Sequence, residues 1–477
     1  MRWMNKLLLV FIVSLLGISC EAQKSRSNKL QTYVNEFVSD SCFYSAGIGI
    51  VVSDVKTGKN LASNQAHLAL TPASTQKLIT TAAALEILGS NYQFTTQIET
   101  DGELLKNGTL AGNLIVKGFG DPTLGSKYFE NEKPIEQLIA EKIKALGIRK
   151  IQGKILADAS YIEAKIPATW IWEDIGNYYG AIPNGLSFHD NMYSLFFSSG
   201  KAGTATQLTK TEPQNTGLVF NNQVISSAVN RDLAYIFGGN TSNQRRIEGS
   251  IPQNRAQFKV KGALLQPKNS LIESLNQSFL KVGISIENKV FPAKERSLLL
   301  NLNSPKLKDI ITLTNQKSIN LFADHLLFEI GAKESGKASW ENGIEAVKNF
   351  WNQKGLPTKY LSLYDGCGLS HFNAVSADFF DQVLRIMYRS RYSNEFSSSL
   401  PVSGISGTLK SFGRNSDLQG NWKAKTGSMT GVRTYCGYLT TKSGKEYGVT
   451  ILINNYSCSS SAVNIKLLTL LNQLYNS

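Results

Sequence analysis

The sequence is poor in the residues on which several large enzyme classes depend. Its 477 residues include four histidines and five cysteines, with no His-Glu-x-x-His pair and no Cys-x-x-Cys spacing. A zinc hydrolase and a dithiol redox enzyme are therefore disfavoured. No run of five Lys or Arg residues occurs, and no Gly-Lys-Ser or Gly-Lys-Thr completes a phosphate-binding loop. These absences also argue against a nucleic-acid partner and a nucleotide.

The composition is that of a globular protein. Hydrophobic residues make up 42% and charged residues 18% of the chain, and the formal net charge is +14. Without a nucleic-acid signature, this positive charge favours work in an anionic cell envelope. The length exceeds that of one ordinary hydrophobic core, so we expect two or three structural units.

The N-terminus predicts export. Two basic residues precede an apolar stretch at 7–19, which is too short for a comfortable permanent membrane span. We interpret residues 1–22 as a signal peptide that is cleaved after Ala22, releasing a protein with peripheral or no membrane contact in the periplasm or cell envelope. A lipid anchor on Cys20 stays open, although Gly17 stands where the usual lipobox has an aliphatic residue.

The order of predicted elements indicates a discontinuous α/β domain. A hairpin at 46–70 leads into a helix between Ser74 and Gly89, and further helices and strands alternate after position 307. Between these parts, turn signals and short alternating stretches favour strands, with a helix near 135–146 and mostly short strands over 160–300. We therefore predict one domain from residues 23–96 and 300–477. The inserted, mostly β unit covers 97–299.

The pair Ser74 and Lys77 is the first candidate for catalysis. Residues three apart share a helix face, so both side chains would lie at the same end of the predicted helix. A serine becomes nucleophilic when a base takes its proton, and a lysine serves as that base when burial lowers its pKa. Taken alone, however, Ser-x-x-Lys is more often a helix cap followed by a solvated lysine.

Two later motifs suit the same chemistry. Ser318-Ile-Asn320 is predicted to open a helix; Ser318 could be only its N-cap, or its hydroxyl could relay protons while Asn320 binds a carbonyl or orients Lys77. We expect Lys77 to lie against both residues.

Lys425-Thr426-Gly427 lies within a predicted strand. Lys425 and the hydroxyl of Thr426 could bind a terminal carboxylate, and Gly427 would let an extended substrate approach closely. The same tripeptide also occurs at 56–58 in a polar turn, where we expect no such role.

Ser-x-x-Lys, Ser-x-Asn and Lys-Thr-Gly in this order resemble the active-site set of penicillin-binding proteins and serine β-lactamases. Nearly the whole chain resembles the D-alanyl-D-alanine carboxypeptidase/endopeptidase group of low-molecular-mass penicillin-binding proteins, the peptidase S13 family. Secondary signatures agree, among them Asp365-Gly-Cys-Gly-Leu-Ser370, in which Cys367 replaces the more usual serine. The resemblance implies a penicillin-binding-protein/β-lactamase-like transpeptidase fold, an antiparallel sheet flanked by helices, with the large insertion.

The resemblance also implies a reaction. Ser74 would attack the carbonyl of the penultimate D-Ala with Lys77 as general base, and backbone N–H groups of Ser74 and Ser428 would bind the oxyanion. Ser318 would pass a proton to the leaving amine. Water would then hydrolyse the acyl-enzyme, without a metal or an organic cofactor.

Substrate binding is implied in the same way. Asn320 would contact the acyl side-chain amide, while Lys425 and Thr426 would hold the terminal carboxylate. The implied partners are peptidoglycan stem peptides, and β-lactam antibiotics as covalent inhibitors. A β-lactamase or esterase on the same fold, and a non-catalytic peptidoglycan-binding protein, remain alternatives.

The cysteines allow two interpretations. Four remain after the proposed cleavage, and they are widely scattered: Cys42, Cys367, Cys436 and Cys458. One or two disulfides could form after export, or all four could be small buried residues.

Overall fold

A computed structural model describes residues 28–129, 132–239, 242–292 and 294–477. The predicted signal peptide 1–22 and Cys20 lie outside these ranges. Within them, none of the helices has both the length and the apolar character that a membrane span requires.

The described part of the chain contains ten α-helices and twenty-two strands, numbered here in chain order. The helices are α1 (28–38), α2 (Lys77–Leu88), α3 (Ile135–Ala145), α4 (Pro267–Lys281), α5 (Leu307–Lys317), α6 (Asn320–Ser335), α7 (Trp340–Gln353), α8 (Ala377–Arg389), α9 (Ser393–Ser399) and α10 (Ser460–Tyr475). The strands before the third helix are β1 (Gly47–Asp54), β2 (Asn60–Asn64), β3 (Ala69–Leu70), β4 (Thr95–Thr100), β5 (Glu103–Leu104), β6 (Thr109–Ala111) and β7 (Leu114–Gly118).

The strands between α3 and α5 form most of the middle of the chain. They are β8 (Lys150–Ile151), β9 (Ile155–Asp158), β10 (Met192–Ser199), β11 (Gln207–Glu212), β12 (Val219–Asn222), β13 (Ile225–Ser227), β14 (Leu233–Phe237), β15 (Gln244–Pro252), β16 (Arg255–Ala263), β17 (Ser285–Ile286) and β18 (Ser297–Asn303). The remaining strands are β19 (Val375–Ser376), β20 (Trp422–Met429), β21 (Val432–Thr440) and β22 (Glu446–Asn454).

A five-stranded antiparallel sheet in the order β2-β1-β22-β21-β20 joins the two ends of the chain. Strand β1 is buried on both faces, as its near-continuous apolar sequence indicates. Ile50 belongs to the core beneath α1 and α10, and Val51 belongs to the opposite core beneath α2, α6 and α8. The sheet flanked by helices is therefore as predicted.

A disulfide ties the N-terminal part to the last helix. Cys42 bonds to Cys458, 416 positions later, which confirms one of the possible disulfides. Cys367 and Cys436 are free and buried, as the alternative interpretation expected.

The middle of the chain leaves and re-enters through one pair of strands. Strand β4 follows α2, strand β18 precedes α5, and the two pair antiparallel from Thr95 opposite Asn303 to Thr100 opposite Ser297. The chain therefore leaves the first domain and returns to it at neighbouring strands. The five-stranded sheet formed by the two ends of the chain is not interrupted. The limits 97 and 299 of the insertion stay a prediction.

Helix α4 lies within 160–300, where we predicted mostly short strands, and the sequence analysis did not identify it. This helix begins with Pro267 at its first turn and buries Leu271, Leu275 and Phe279 in a third core, within the inserted part of the chain. These three side chains recur every four residues, which is the spacing of a helix face. The polar residues between them concealed the pattern.

Candidate active site

Ser74 lies in a short 3-10 turn, Ala73–Gln76, that runs directly into α2. Helix α2 ends at Leu88, and Gly89 follows with a φ of 88°, so the predicted helix between Ser74 and Gly89 is confirmed. The chain before the turn is held by Asn454 of β22, whose side chain bonds to the N–H and C=O of Thr71 at 2.8 and 3.1 Å. The central sheet thus fixes the position of the serine.

Lys77 is fully buried beside this serine. Its Nζ lies 3.0 Å from Ser74 Oγ and donates to Asn320 Oδ1 and to the carbonyl of Cys367, both at 2.7 Å. The expected contact with Asn320 is therefore present. The amide of Asn320 in turn donates to the carbonyl of Tyr179 at 2.8 Å, which fixes its orientation.

Burial controls the charges around Lys77. Desolvation lowers the pKa of Lys77, whereas electrostatic interactions with Cys367, Asp324 and Asp365 act to raise it. Desolvation also raises the pKa of Asp324 and of the Cys367 thiol well above their ordinary values. Protonated forms of Asp324 and Cys367 leave less negative charge to keep an ammonium on Lys77, and this favours a neutral amine.

Ser318 occupies a different backbone position from the one predicted. It does not cap α6 but ends α5 in the left-handed region, with a φ of 58°, and Ile319 is the residue before α6. Such a conformation is uncommon for a residue with a side chain, and serine carries no sequence mark for it. The hydroxyl of Ser318 accepts from Lys425 Nζ at 2.9 Å, which replaces the contact that we expected with Lys77.

Strand β20 runs directly beside the serine turn. A Cβ on Gly427 would lie 2.1 Å from Thr434 Oγ1, 2.7 Å from the Pro72 carbonyl and 2.9 Å from the backbone nitrogen of Ser74. Only glycine therefore allows this approach. The next residue, Ser428, is exposed, and its hydroxyl accepts from Arg433.

Lys425 and Thr426 complete the group. Lys425 is fully buried, and desolvation together with the charge of Lys77 lowers its pKa well below the usual range. Its Nζ also donates to the carbonyl of Thr426 at 2.7 Å. The hydroxyl of Thr426 donates to Thr408 Oγ1 at 2.8 Å. All eight predicted site residues thus lie around one turn and one strand.

Asp365 holds the loop that supplies the Cys367 carbonyl. Its carboxylate accepts from the N–H of Gly368 at 2.7 Å, the N–H of Ser370 at 2.6 Å and the indole of Trp170 at 2.9 Å. The sequence singled out this segment as a secondary signature without a role. Because any residue could supply the carbonyl, no residue type marks the contact with Lys77.

The cleft above Ser74 has a volume of about 630 Å³ and includes residues that the motifs did not indicate. Asp174, Tyr179 and His371 line it together with Ser74, Ser318 and Asn320. Burial raises the pKa of Asp174 to about 6. No motif in the sequence pointed to Asp174, which lies five residues before Tyr179.

Comparison with known proteins shows similarity over nearly the whole chain. The family described as "D-Ala-D-Ala carboxypeptidase 3 (S13) family" matches residues 30–473. A D-alanyl-D-alanine carboxypeptidase of an Actinomadura species is 26% identical over 466 residues, covering 93% of this chain and 85% of the relative. The D-alanyl-D-alanine carboxypeptidase DacB of Haemophilus influenzae is 26% identical over 445 residues, covering 91% of each.

The fold agrees with this similarity. The crystal structure of penicillin binding protein 4 from Haemophilus influenzae superposes with a TM-score of 0.77, covering 93% of this chain and 99% of that one at 24% identity. The penicillin-binding-protein fold predicted from the motifs is therefore confirmed.

Proposed function

The chain belongs to the D-Ala-D-Ala carboxypeptidase 3 (S13) family, and on this basis we propose how its residues act. It is a serine DD-peptidase that cleaves the D-Ala-D-Ala bond of peptidoglycan stem peptides through an acyl-enzyme, and β-lactams inhibit it. Ser74 is the nucleophile and Lys77 its base. The observation that supports these roles is the contact of 3.0 Å between Lys77 Nζ and Ser74 Oγ, together with the full burial of the Lys77 side chain.

Lys77 is suited to take the proton of Ser74. A neutral amine has two N–H bonds and one lone pair, and Lys77 has three oxygen neighbours. The two N–H bonds go to the acceptors that cannot donate, the Asn320 amide oxygen and the Cys367 carbonyl. The lone pair is then left for the Ser74 hydroxyl, the one neighbour that can donate.

The attack of Ser74 Oγ on the carbonyl carbon forms a C–O bond and places negative charge on the carbonyl oxygen. We assign the backbone N–H groups of Ser74 and Ser428 to that oxygen, because Gly427 brings β20 against the backbone of Ser74. Donors held in place before the reaction stabilise developing charge without reorganisation. Removal of one such donor in other enzymes costs about 10²–10³-fold in kcat.

The leaving amine needs a proton as the C–N bond breaks. We assign its delivery to the Ser318 hydroxyl, as the resemblance implies; among the described contacts this hydroxyl accepts from Lys425 Nζ at 2.9 Å, and Lys77 does not reach it directly. Lys425 and Thr426 bind the terminal carboxylate, whose arrival favours the ammonium form of Lys425. Water then attacks the ester carbon while Lys77 takes one of its protons, the C–O bond to Ser74 breaks, and that proton passes to Ser74 Oγ.

The site of action that we propose is the cell envelope. The predicted signal peptide 1–22 would direct export, with the lipid anchor on Cys20 as the less favoured alternative. The disulfide between Cys42 and Cys458 supports an oxidising compartment, since such bonds are rare in reducing cytosol. The periplasm is the compartment in which peptidoglycan stem peptides are met.

Labelled penicillin tests the proposed roles against the alternatives. We expect stable labelling of the wild type, no labelling of Ser74→Ala, and a loss of labelling rate of about 10³-fold or more in Lys77→Ala. Rapid hydrolysis of the penicillin would instead indicate a β-lactamase. A wild type that does not label would leave the non-catalytic binding protein as the better interpretation.

Substrate assays then define the bond. Release of D-Ala from a muropeptide pentapeptide measures carboxypeptidase activity, and cleavage of a cross-linked dimer measures endopeptidase activity. Ser74→Ala must lose both. If Ser74→Ala kept either activity, the acyl-enzyme assignment would be wrong.

A further inference from the structure

A second cavity adjoins the active-site cleft on the inserted part of the chain. Its volume is about 560 Å³, and it shares two lining residues with the cleft, Asp190 and Met192. Three lysines line it, Lys127, Lys259 and Lys261. We call this cavity with its three lysines the basic groove.

The floor of the basic groove is one face of a three-stranded sheet. In the order β11-β10-β16, Phe196 lies opposite Lys210 on one side and Lys259 on the other, while Ser194 lies opposite Glu212 and Lys261. Alternate residues of a strand point to opposite faces, so these side chains share a face. The intervening residues of β10 and β16 are apolar and buried in a core on the other face: Tyr193, Leu195, Phe197 and Val260.

The groove carries positive charge that the protein does not neutralise. Lys127 lies 3.3 Å from Asp190, and Glu212 is taken by Lys210 at 2.5 Å. In the part of the chain that the structure describes, Lys259 and Lys261 have no carboxylate within 4 Å. Burial, and then the charges of Lys127 and Lys259, lower the pKa of Lys261. An anion in the groove would relieve this repulsion.

Aromatic rings contact two of the three lysines. Lys259 Nζ stands 4.8 Å above the ring of Phe196, and Lys261 Nζ stands 5.8 Å above the ring of Tyr178. Tyr178 also lines the active-site cleft. The positive charge therefore begins at the edge of the cleft and continues along β16.

We propose that the basic groove binds free carboxylates of the same peptide that Ser74 cleaves, in the segment that extends beyond the scissile bond. This inference rests on the proposed function, since continuity with the cleft is the reason for choosing the substrate as the occupant. The inserted unit then takes part in selecting acidic, multi-branched stem peptides. A ligand that spans both cavities binds through two sites at once.

The test compares two peptides of equal length that end in D-Ala-D-Ala, one with free carboxylates and one with the same groups amidated. The variant is Lys259→Ala/Lys261→Ala. Lys201→Ala/Lys281→Ala is a matched control, which removes two exposed lysines of the inserted unit that do not line the groove.

We expect kcat/KM for the acidic peptide to fall about five- to tenfold in the groove variant, mainly through KM, because each exposed ion pair contributes modestly. The amidated peptide and penicillin acylation should change less than about twofold, and Lys259→Arg/Lys261→Arg should restore the acidic peptide. Added salt should weaken the preference of the wild type for the acidic peptide.

Three outcomes would overturn the inference. The first is an equal loss for both peptides, and the second is no loss for either, while the penicillin labelling of the variant is normal. The third is equal cleavage of both peptides by the wild type, combined with inhibition by poly(glycerol phosphate) that disappears in the lysine variant. That result would assign the groove to a phosphate polymer. Failure of the wild type to label with penicillin would overturn the proposed function as well.

Discussion

The tripeptide Lys-Thr-Gly occurs twice in this chain, and the two copies differ in almost every physical respect. At 56–58 it forms the turn between β1 and β2, where Lys56 and Thr57 are exposed. At 425–427 it lies within β20 beside Ser74, the proposed nucleophile, and Lys425 is fully buried. The chemistry of Lys-Thr-Gly therefore comes from burial and from neighbours that are distant in sequence, such as Ser318, which is 107 positions from Lys425.

The contacts of the two copies show this difference. In the turn, the carbonyls of Lys56 and Gly58 accept from Arg389 and Arg385 at 3.0 and 2.8 Å, so the backbone is used to fasten the turn to α8. In the strand, the side chain of Lys425 bonds to Ser318. One copy offers its backbone to the fold, and the other directs its side chain at the candidate site.

Replacing the glycine of each copy by alanine should give the largest difference in penicillin acylation between the two copies. Gly427→Ala places a methyl group 2.1 Å from Thr434 Oγ1 and close to the Ser74 backbone, so β20 must shift. A displacement of about 1 Å can cost about 10²-fold in rate, and we expect at least that loss in penicillin acylation. The free energy of unfolding should fall by about 1–3 kcal/mol.

Gly58→Ala is the matched substitution. Gly58 has a φ of 76°, so the alanine costs about 1–2 kcal/mol of stability by backbone strain. Its acylation rate should equal that of the wild type. Normal acylation in Gly427→Ala would show that the close approach of β20 to Ser74 does not matter for activity.

Replacing the lysine of each copy by alanine should give the next largest difference, in kcat/KM. Lys425→Ala removes the proposed partner of the terminal carboxylate, and a hydrogen bond to a charged group is worth about 1.5–3 kcal/mol. We expect kcat/KM on a peptide ending in D-Ala-D-Ala to fall about 10- to 100-fold, while Lys56→Ala keeps full activity. Equal activity of the two variants would remove Lys425 from the binding site.

The sequence allowed the local parts of the site to be predicted. Ser74 and Lys77 meet because they lie three positions apart, one turn from each other where the 3-10 turn runs into α2. Gly427 was expected to permit a close approach. The partner of Ser318 was not predictable in the same way. Its hydroxyl faces Lys425 because the chain takes a left-handed turn between α5 and α6, and no glycine or asparagine marks that turn.

The surroundings of Lys77 depended on the fold even more. The Cys367 carbonyl is a backbone group, so its contact could not be found from the identity of the residue. Helix α4 was missed because polar residues separate its apolar ones. The basic groove brings Lys127 to Lys259 and Lys261 of β16, over a span of up to 134 positions (261 − 127), and its floor depends on the pairing of β10, β11 and β16. The pairing register between distant strands is the feature that is hardest to predict from a single sequence.

The last difference between the copies should appear in stability. Desolvation lowers the pKa of Lys425 in the folded state well below the usual value, so at pH values below that folded pKa the protein buries an ammonium at a cost. Between the folded pKa and about 10.4, the unfolded chain binds more protons at this residue, and the stability of the wild type rises with pH. Lys425→Met removes the cost at every pH.

We therefore expect Lys425→Met to have a higher free energy of unfolding than the wild type at pH 6, because the substitution removes a buried ammonium. The gain should shrink as the pH approaches 10.4, in denaturant titrations at several pH values. Lys56→Met, in an exposed turn, should change the free energy of unfolding by no more than about 0.5 kcal/mol. A gain at Lys425 that did not vary with pH would come from packing of the methionine, because only a buried charge gives this dependence. A loss of stability would mean that the Lys425 ammonium is better solvated in the folded protein than its burial indicates.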